Sequence, residues 1–184
     1  MRRRAWILAF LIIVAAAAIE IAMGRTPICT CRKVDLWVGA RDSFKTSQML
    51  FDWYSFSHLV HGFLFYAALW LIARRWPVES RFIVALVTEA AWEVFENTPF
   101  VINRYRATTA AAGYSGDSVI NSLFDILLMS LGFLIARRLP VWASIAIVIV
   151  LELVPLYFIR DNLTLNVWMF LAPDQAVEAW QARG

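Results

Sequence analysis

Apolar residues along the chain fall into five runs fenced by charged ones. The first extends from Ala5 to Met23 behind Met1-Arg2-Arg3-Arg4, and the second from Phe56 to Ala73, closed by Arg74-Arg75. The third runs from Phe82 to Ile102 and is entered from Arg81; the fourth runs from Ser118 to Ala136 and is closed by Arg137-Arg138. The fifth runs from Val141 to Ile159 and is closed by Arg160. Each approaches the roughly 20 mostly apolar residues that an α-helix needs to cross a bilayer. The pattern predicts an all-α, polytopic bundle of about five transmembrane helices forming a single domain. Short turns lie on one side, with longer segments at 24–55, 103–117 and 161–184 on the other.

Lys and Arg at the ends of spans are held in the cytoplasm. The arginines at 2–4, at 74, 75 and 81, and at 137–138 are all inside if the N-terminus is inside, which puts the C-terminus outside. The small residues Ala15 to Ala18 also suit a signal-peptide cleavage site, but the apolar run continues to Met23, which favours an uncleaved span. The expected location is a bacterial inner membrane, crossed several times. The tail mixes Trp168, Phe170 and Trp180 with polar residues, as a helix or turn lying at the membrane interface does.

Composition agrees: 61% of the residues are hydrophobic and 17% charged, which excludes a disordered chain and an ordinary soluble domain. The net charge of +3 is too small and too dispersed for nucleic acid. Cys29 and Cys31 are the only cysteines. They are expected to be a local bridge or two free thiols, since two thiolates make only half a zinc shell.

The informative departure from apolarity lies inside three of the runs. His58 and His61 open the second; Glu89, Glu93, Glu96 and Asn97 follow one face of the third; Asp117, Asn121, Ser122 and Asp125 open the fourth. At 100° per residue each set forms one polar stripe. With a rise of about 1.5 Å per residue, His61, Glu93 and Asp125 come to similar depth, with Glu89 below them, in a cleft opening outward. Ionisable side chains in lipid are costly and by default functional. Five carboxylates and two imidazoles cannot all be charged there without protons or cations to balance them. His58, His61, Glu93 and Asp125 are the expected ligands of a divalent metal: zinc, manganese, iron or magnesium. Glu89, Glu93, Asn97, Asp117, Asn121 and Asp125 are the expected catalytic groups, and Arg104 and Arg106 the binders of an anionic head group. Singly, Asn121, Ser118 and Ser122 are also what helices use to hydrogen-bond one another. Glu20 and Glu152 stand alone in the first and fifth runs and are expected to support the site or pair with Arg160.

These residues also carry a resemblance. Gly24-Arg25-Thr26-Pro27-Ile28-Cys29-Thr30-Cys31, Leu36-Trp37-Val38-Gly39, the run from Asp52 to Tyr66, Glu89 to Asn97, Arg104-Tyr105-Arg106 and Gly116 to Ser122 resemble a family of uncharacterised inner-membrane proteins found mainly in alphaproteobacteria. The likeness covers most of the chain from Gly24 to Arg138, although Arg32 and Met49 stand where that family carries a Gly and a His. It implies a multi-pass inner-membrane protein. A fainter likeness is to VanZ-like membrane proteins, through His61 with Phe65, Glu93 with Asn97 and Asp117 with Asn121, and hints at an envelope or glycan-lipid context.

The reading that follows is an outward-facing hydrolase or transferase, using a metal or a proton-sharing acid pair, that acts on a lipid or lipid-linked substrate. A structural or assembly factor is the alternative and ion or proton transport the third; a homo-oligomer could complete the walls of any of them.

Overall fold

The computed structural model describes residues 3–41, 43–109 and 113–182, so Met1, Arg2 and the tract Ala110 to Ala112 lie outside the described residues. Every regular element among them is helical: α1 (Arg3–Ala22), α2 (Ser55–Ile72), α3 (Val78–Glu96), α4 (Pro99–Thr108), α5 (Val119–Ala136), α6 (Val141–Ile159), α7 (Leu163–Leu171) and α8 (Gln175–Gln181). Helices α1, α2, α5 and α6 are long and apolar enough to cross a membrane.

The third expected span does not run from Phe82 to Ile102 as one helix. Pro99 has no N–H to give the preceding turn and its ring disfavours helical backbone at the residue before it. Thr98 is accordingly extended, with φ −78° and ψ 151°, and its hydroxyl receives Val101 N–H to start α4 afresh. Helix α3 therefore ends at Glu96 and also carries Glu79, Arg81, Glu89 and Glu93, which separates it in character from the four apolar helices.

The bundle is organised around α2 against α5. Gly62 and Gly132 face each other so closely that a Cβ on Gly62 would lie 2.2 Å from the Met129 carbonyl oxygen, and one on Gly132 would lie 2.2 Å from that of Leu59. Small residues at a crossing let two helical backbones approach and gain dispersion contacts where no hydrophobic effect operates. Below that crossing Phe82, Leu86, Ile126, Met129 and Phe133 make an apolar core. Helix α1 packs on α3 through Ala9 and Ala16. Helix α6 fully buries only Pro155 and Ile159, and Trp142, Ile145, Ile149, Leu153, Tyr157 and Phe158 face outward.

Residues 24–41 and 43–54 form an irregular cap with one isolated bridge between Trp37 and Phe51, and Cys29 is disulfide-bonded to Cys31. The cap is stitched to the start of α5, whose first N–H groups have no partner within the helix: Val119 N–H donates to Thr26 O at 2.9 Å and Ile120 N–H to Pro27 O at 3.1 Å. The tail folds back over the same end, where Arg41 donates to the Ile159 and Gln181 carbonyls at 3.0 Å each. Glu152 is not a partner of Arg160. Its carboxylate caps α7, accepting from Leu163 N–H at 3.2 Å and from the Thr164 N–H and hydroxyl at 3.0 and 2.6 Å. The cap, the tail and the start of α5 thus share one end of the bundle, and the α2–α3 and α5–α6 turns with Arg74, Arg75, Arg137 and Arg138 occupy the other.

Candidate functional site

At the capped end, α2, α3 and α5 enclose a cavity of about 520 Å³. Its polar lining includes Asp52, His58, His61, Glu89, Glu96, Asp117 and Asp125, and none of its lining residues is Lys or Arg. The imidazoles are placed one helical turn apart on α2, and the carboxylate of Glu89 on α3 lies between them. Glu89 Oε1 is 2.7 Å from His58 Nδ1, and both its oxygens are 3.1 Å from His61 Nδ1. His61 is further held by stacking on Phe65, with ring centroids 5.7 Å apart.

Glu89, expected below the level of the other groups, is the residue that meets both histidines. Arg81, which enters the third run, is buried beside the Tyr66 ring, and Glu89 rather than Glu93 comes level with both histidines. The expected metal set of His58, His61, Glu93 and Asp125 is regrouped accordingly. His58, His61 and Glu89 bring one ligand atom each to within 4.8 Å of one another, and so do Glu93, Glu96 and Asp117. Asp125 stands apart, its Oδ2 3.8 Å from His58 Nε2 and its Oδ1 3.4 Å from the Ser55 hydroxyl.

Glu93 is fully buried and neither carboxylate oxygen has a hydrogen-bond partner. Its Oε1 comes within 3.2 Å of His58 Nδ1, a nitrogen already engaged by Glu89, so the contact is electrostatic only. Asp117, just before α5, accepts from the Tyr114 hydroxyl at 2.9 Å and the Asn97 amide at 3.3 Å. Burial raises its carboxyl to about 6 in spite of these donors. Next to it Gly116 has φ +83° and leaves room for the Arg25 guanidinium, which a Cβ would meet at 2.6 Å. Arg25 Nε donates to the Asp117 backbone carbonyl at 2.9 Å.

The two amides among the expected catalytic groups have structural partners. Asn97 donates to Glu93 O, Asp117 Oδ2 and Ser122 Oγ, and accepts Asp117 N–H at 2.7 Å. Asn121 donates to Met49 O at 3.0 Å, while its neighbour Ser118 gives its hydroxyl to Gln48 O at 3.0 Å. The two arginines expected to bind a head group also point elsewhere. Arg104 Nε donates to Phe170 O at 2.8 Å, Arg106 Nε donates to Tyr114 O, and neither lines the cavity.

Four wall elements were not foreseen from the sequence. Asp52 sits at the turn into α2, accepting from the N–H groups of Ser47 at 2.7 Å and Tyr54 at 2.8 Å, which is a helix-entry signal legible in Asp52-Trp53-Tyr54-Ser55. Tyr105 and Tyr114 complete the wall beside Asp117, and only the fold brings them there. Helix α7 closes the remaining side with Leu163, Val167, Phe170 and Leu171, so the cavity is acidic on one wall and apolar on the opposite one.

This is an all-helical protein of membrane type with a buried acid and imidazole cavity at one end. The chain belongs to the family described as "Protein of unknown function (DUF2585)", whose model matches residues 20–183. It is similar to the UPF0314 protein of Paracoccus denitrificans, 53% identical over 173 residues covering 94% of this chain and 90% of the relative. The UPF0314 protein of Sphingopyxis alaskensis is 49% identical over 187 residues, covering 99% and 97% of the two chains. That of Rhizobium meliloti is 53% identical over 184 residues, covering 98% and 93%. These findings bear out the resemblance to the alphaproteobacterial family and bring no support to the VanZ-like one. No solved structure matches.

Proposed function

We propose that this protein is an inner-membrane hydrolase or transferase that uses a divalent metal to act on a lipid or lipid-linked substrate. The observation that carries the reading is the cavity lining: five carboxylates and two imidazoles, with no basic side chain among them. In a region of low dielectric such a set is self-repulsive unless cations or protons enter it. His58, His61 and Glu89 form a nitrogen- and oxygen-donor triad of the kind that suits zinc, iron or manganese.

The apolar wall of α7 fits the substrate class. A head group reaches the acids while a hydrocarbon chain lies along Val167, Phe170 and Leu171. Because Arg104 and Arg106 are engaged elsewhere, a metal rather than a guanidinium holds the anionic part of the substrate. In the hydrolytic form, an ion held by His58, His61 and Glu89 would supply an activated water for the acyl or phosphoryl centre, and a cavity carboxylate would take up its proton. The bond to the leaving oxygen then breaks, and that oxygen takes up a proton in return. In a transferase a second hydroxyl replaces the water.

The arginine-flanked turns lie at the end of the bundle opposite the cavity, which supports a cavity facing the periplasm under the positive-inside rule. Transport finds less support, because the core beneath the acids is apolar, from Phe82 and Leu86 to Met129 and Phe133. A purely structural role is supported by the partners of Asn97 and Asn121, yet it leaves Glu93 without one.

The test is elemental analysis of detergent-purified protein beside His61→Ala and Glu89→Gln. The reading expects at least one metal ion per chain in the wild type and one fewer in each variant, with helicity and melting behaviour retained. A well-folded wild type that stays metal-free after zinc, iron and manganese are added back removes the metal from the proposal.

A further inference from the structure

We infer that the capped end holds two different cation sites: besides the His58–His61–Glu89 triad, an all-oxygen site formed by Glu96 and Asp117 of the cavity wall with Glu93 buried behind it. This inference rests on the metal-dependent reading above and specifies its stoichiometry and ligand chemistry. The three carboxylates come from two elements, Glu93 and Glu96 from one face of the last turn of α3 and Asp117 from the turn before α5. One oxygen of each lies within 4.8 Å of the others.

An acidic cluster alone does not define a site; Glu93 supplies the second observation. It is fully buried on α3 and both oxygens lack a hydrogen-bond donor, although Asn97 and Ser122 bond to each other within the same region. A buried carboxylate without donors bears the whole cost of its desolvation, several kcal/mol for a charged group. The neighbouring Asn97 amide is spent on backbone, Ser122 and Asp117, which leaves Glu93 with the His58 contact at 3.2 Å and with room for a cation as its further partner. The basic side chain in contact with this turn, Arg25, reaches the backbone of Asp117 and the Gly116 surface rather than the carboxylates.

Ligand type separates the two sites. Imidazole with one carboxylate suits a borderline metal, whereas three carboxylates suit a hard ion such as magnesium or manganese. The sites adjoin, because His58 Nδ1 is 2.7 Å from Glu89 of the first and 3.2 Å from Glu93 of the second. Adjacent cations are the arrangement that stabilises both the attacking and the leaving oxygen in phosphoester and related transfers. A pair of ions there would suit a lipid-linked phosphoester, with Asp125 at 3.8 Å from His58 beside it.

The experiment uses the full chain in detergent, stripped with chelator and titrated with manganese(II) chloride alone. Bound manganese is counted by elemental analysis, and its electron paramagnetic resonance spectrum reports whether two ions are coupled. Two manganese ions per chain with a coupled spectrum are expected for the wild type. Glu93→Gln and Asp117→Asn should each retain one ion with an uncoupled spectrum, and Glu96→Gln should weaken the second binding step at least 10-fold. His61→Ala should lose the other ion and keep the all-oxygen one.

A wild type that takes up a single ion, lost in His61→Ala and unaffected in Glu93→Gln, overturns the second site and leaves the first standing. Absence of binding by manganese and by zinc overturns both. Glu96→Gln alters a half-buried side chain at the cavity wall, so the count remains decisive if substitution of Glu93 or Asp117 prevents folding.

Discussion

Two polar regions sit side by side at the capped end of this bundle and are satisfied in opposite ways. In the first, Asn97, Asn121, Ser118, Ser122 and Gln48 pair donors with carbonyls and hydroxyls until the cap, α3 and α5 are tied together. In the second, less than a helical turn away, acceptors outnumber donors, and Glu93 has none. Buried polar groups are ordinarily hydrogen-bonded, so the first region is explained by the fold itself. The second would be met by the protons or cations proposed above. The difference teaches where to look for chemistry: among side chains whose needs are unmet, not among all polar residues in a span.

The largest effect should come from breaking the satisfied region. Asn97→Ala removes three donor contacts and leaves Asp117 N–H without its acceptor. At about 1–3 kcal/mol for a buried group left unpaired, a loss of about 4 kcal/mol is expected in a detergent thermal melt. His61→Ala should cost far less. If the two melt alike, the contrast between the regions is lost.

Asp161 offers a control, a carboxyl buried like the cavity acids but supplied with donors, namely Asn162 N–H, Gln181 and Tyr54. Burial raises its carboxyl from 3.8 to about 6. A raised value means that the folded chain binds this proton more tightly than the unfolded chain does. Its stabilising contribution is complete below about pH 4 and disappears as the pH rises through 6, a change on the order of 3 kcal/mol. Melting curves of Asp161→Asn should be flatter than wild type over that window; parallel curves would show that its donors fully offset burial.

Adding manganese at about 100 times its dissociation constant should stabilise the wild type by about 2.7 kcal/mol for each ion bound, and Glu89→Gln, which keeps the all-oxygen site, by one such increment less. Equal stabilisation of both proteins would mean that the ion binds elsewhere. The smallest effect, about 2 kcal/mol, is expected for Gly62→Ala, where the new methyl meets the Met129 carbonyl and Phe133 N and the α2–α5 crossing must open. Both regions hang on that crossing, so this variant should weaken cap and metal binding together, as read by limited proteolysis and metal content.

Much of the candidate site was legible because helical periodicity groups residues on one face without knowledge of the neighbours. His58 with His61, Glu89 with Glu93 and Glu96, and Asp117 with Asn121 and Asp125 needed only a 100° turn per residue. Which stripe meets which at a given height is a tertiary matter. It made Glu89 rather than Glu93 the residue that bonds both histidines. Arg104 and Arg106 were misplaced for a related reason: a cation near a cleft looks available until the backbone carbonyls of Phe170 and Tyr114 are found in its reach.

By itself, the sequence determined the helical class, the positions of the apolar runs and the family, since bilayer thickness and backbone hydrogen bonding leave a 20-residue apolar run few alternatives. The tertiary structure decided the rest. It closed the cavity with α7, placed Tyr105 and Tyr114 beside Asp117, and sorted equivalent-looking polar residues into those with partners and those without. Contacts between residues distant in the chain depend on how helices cross, and no local pattern encodes that.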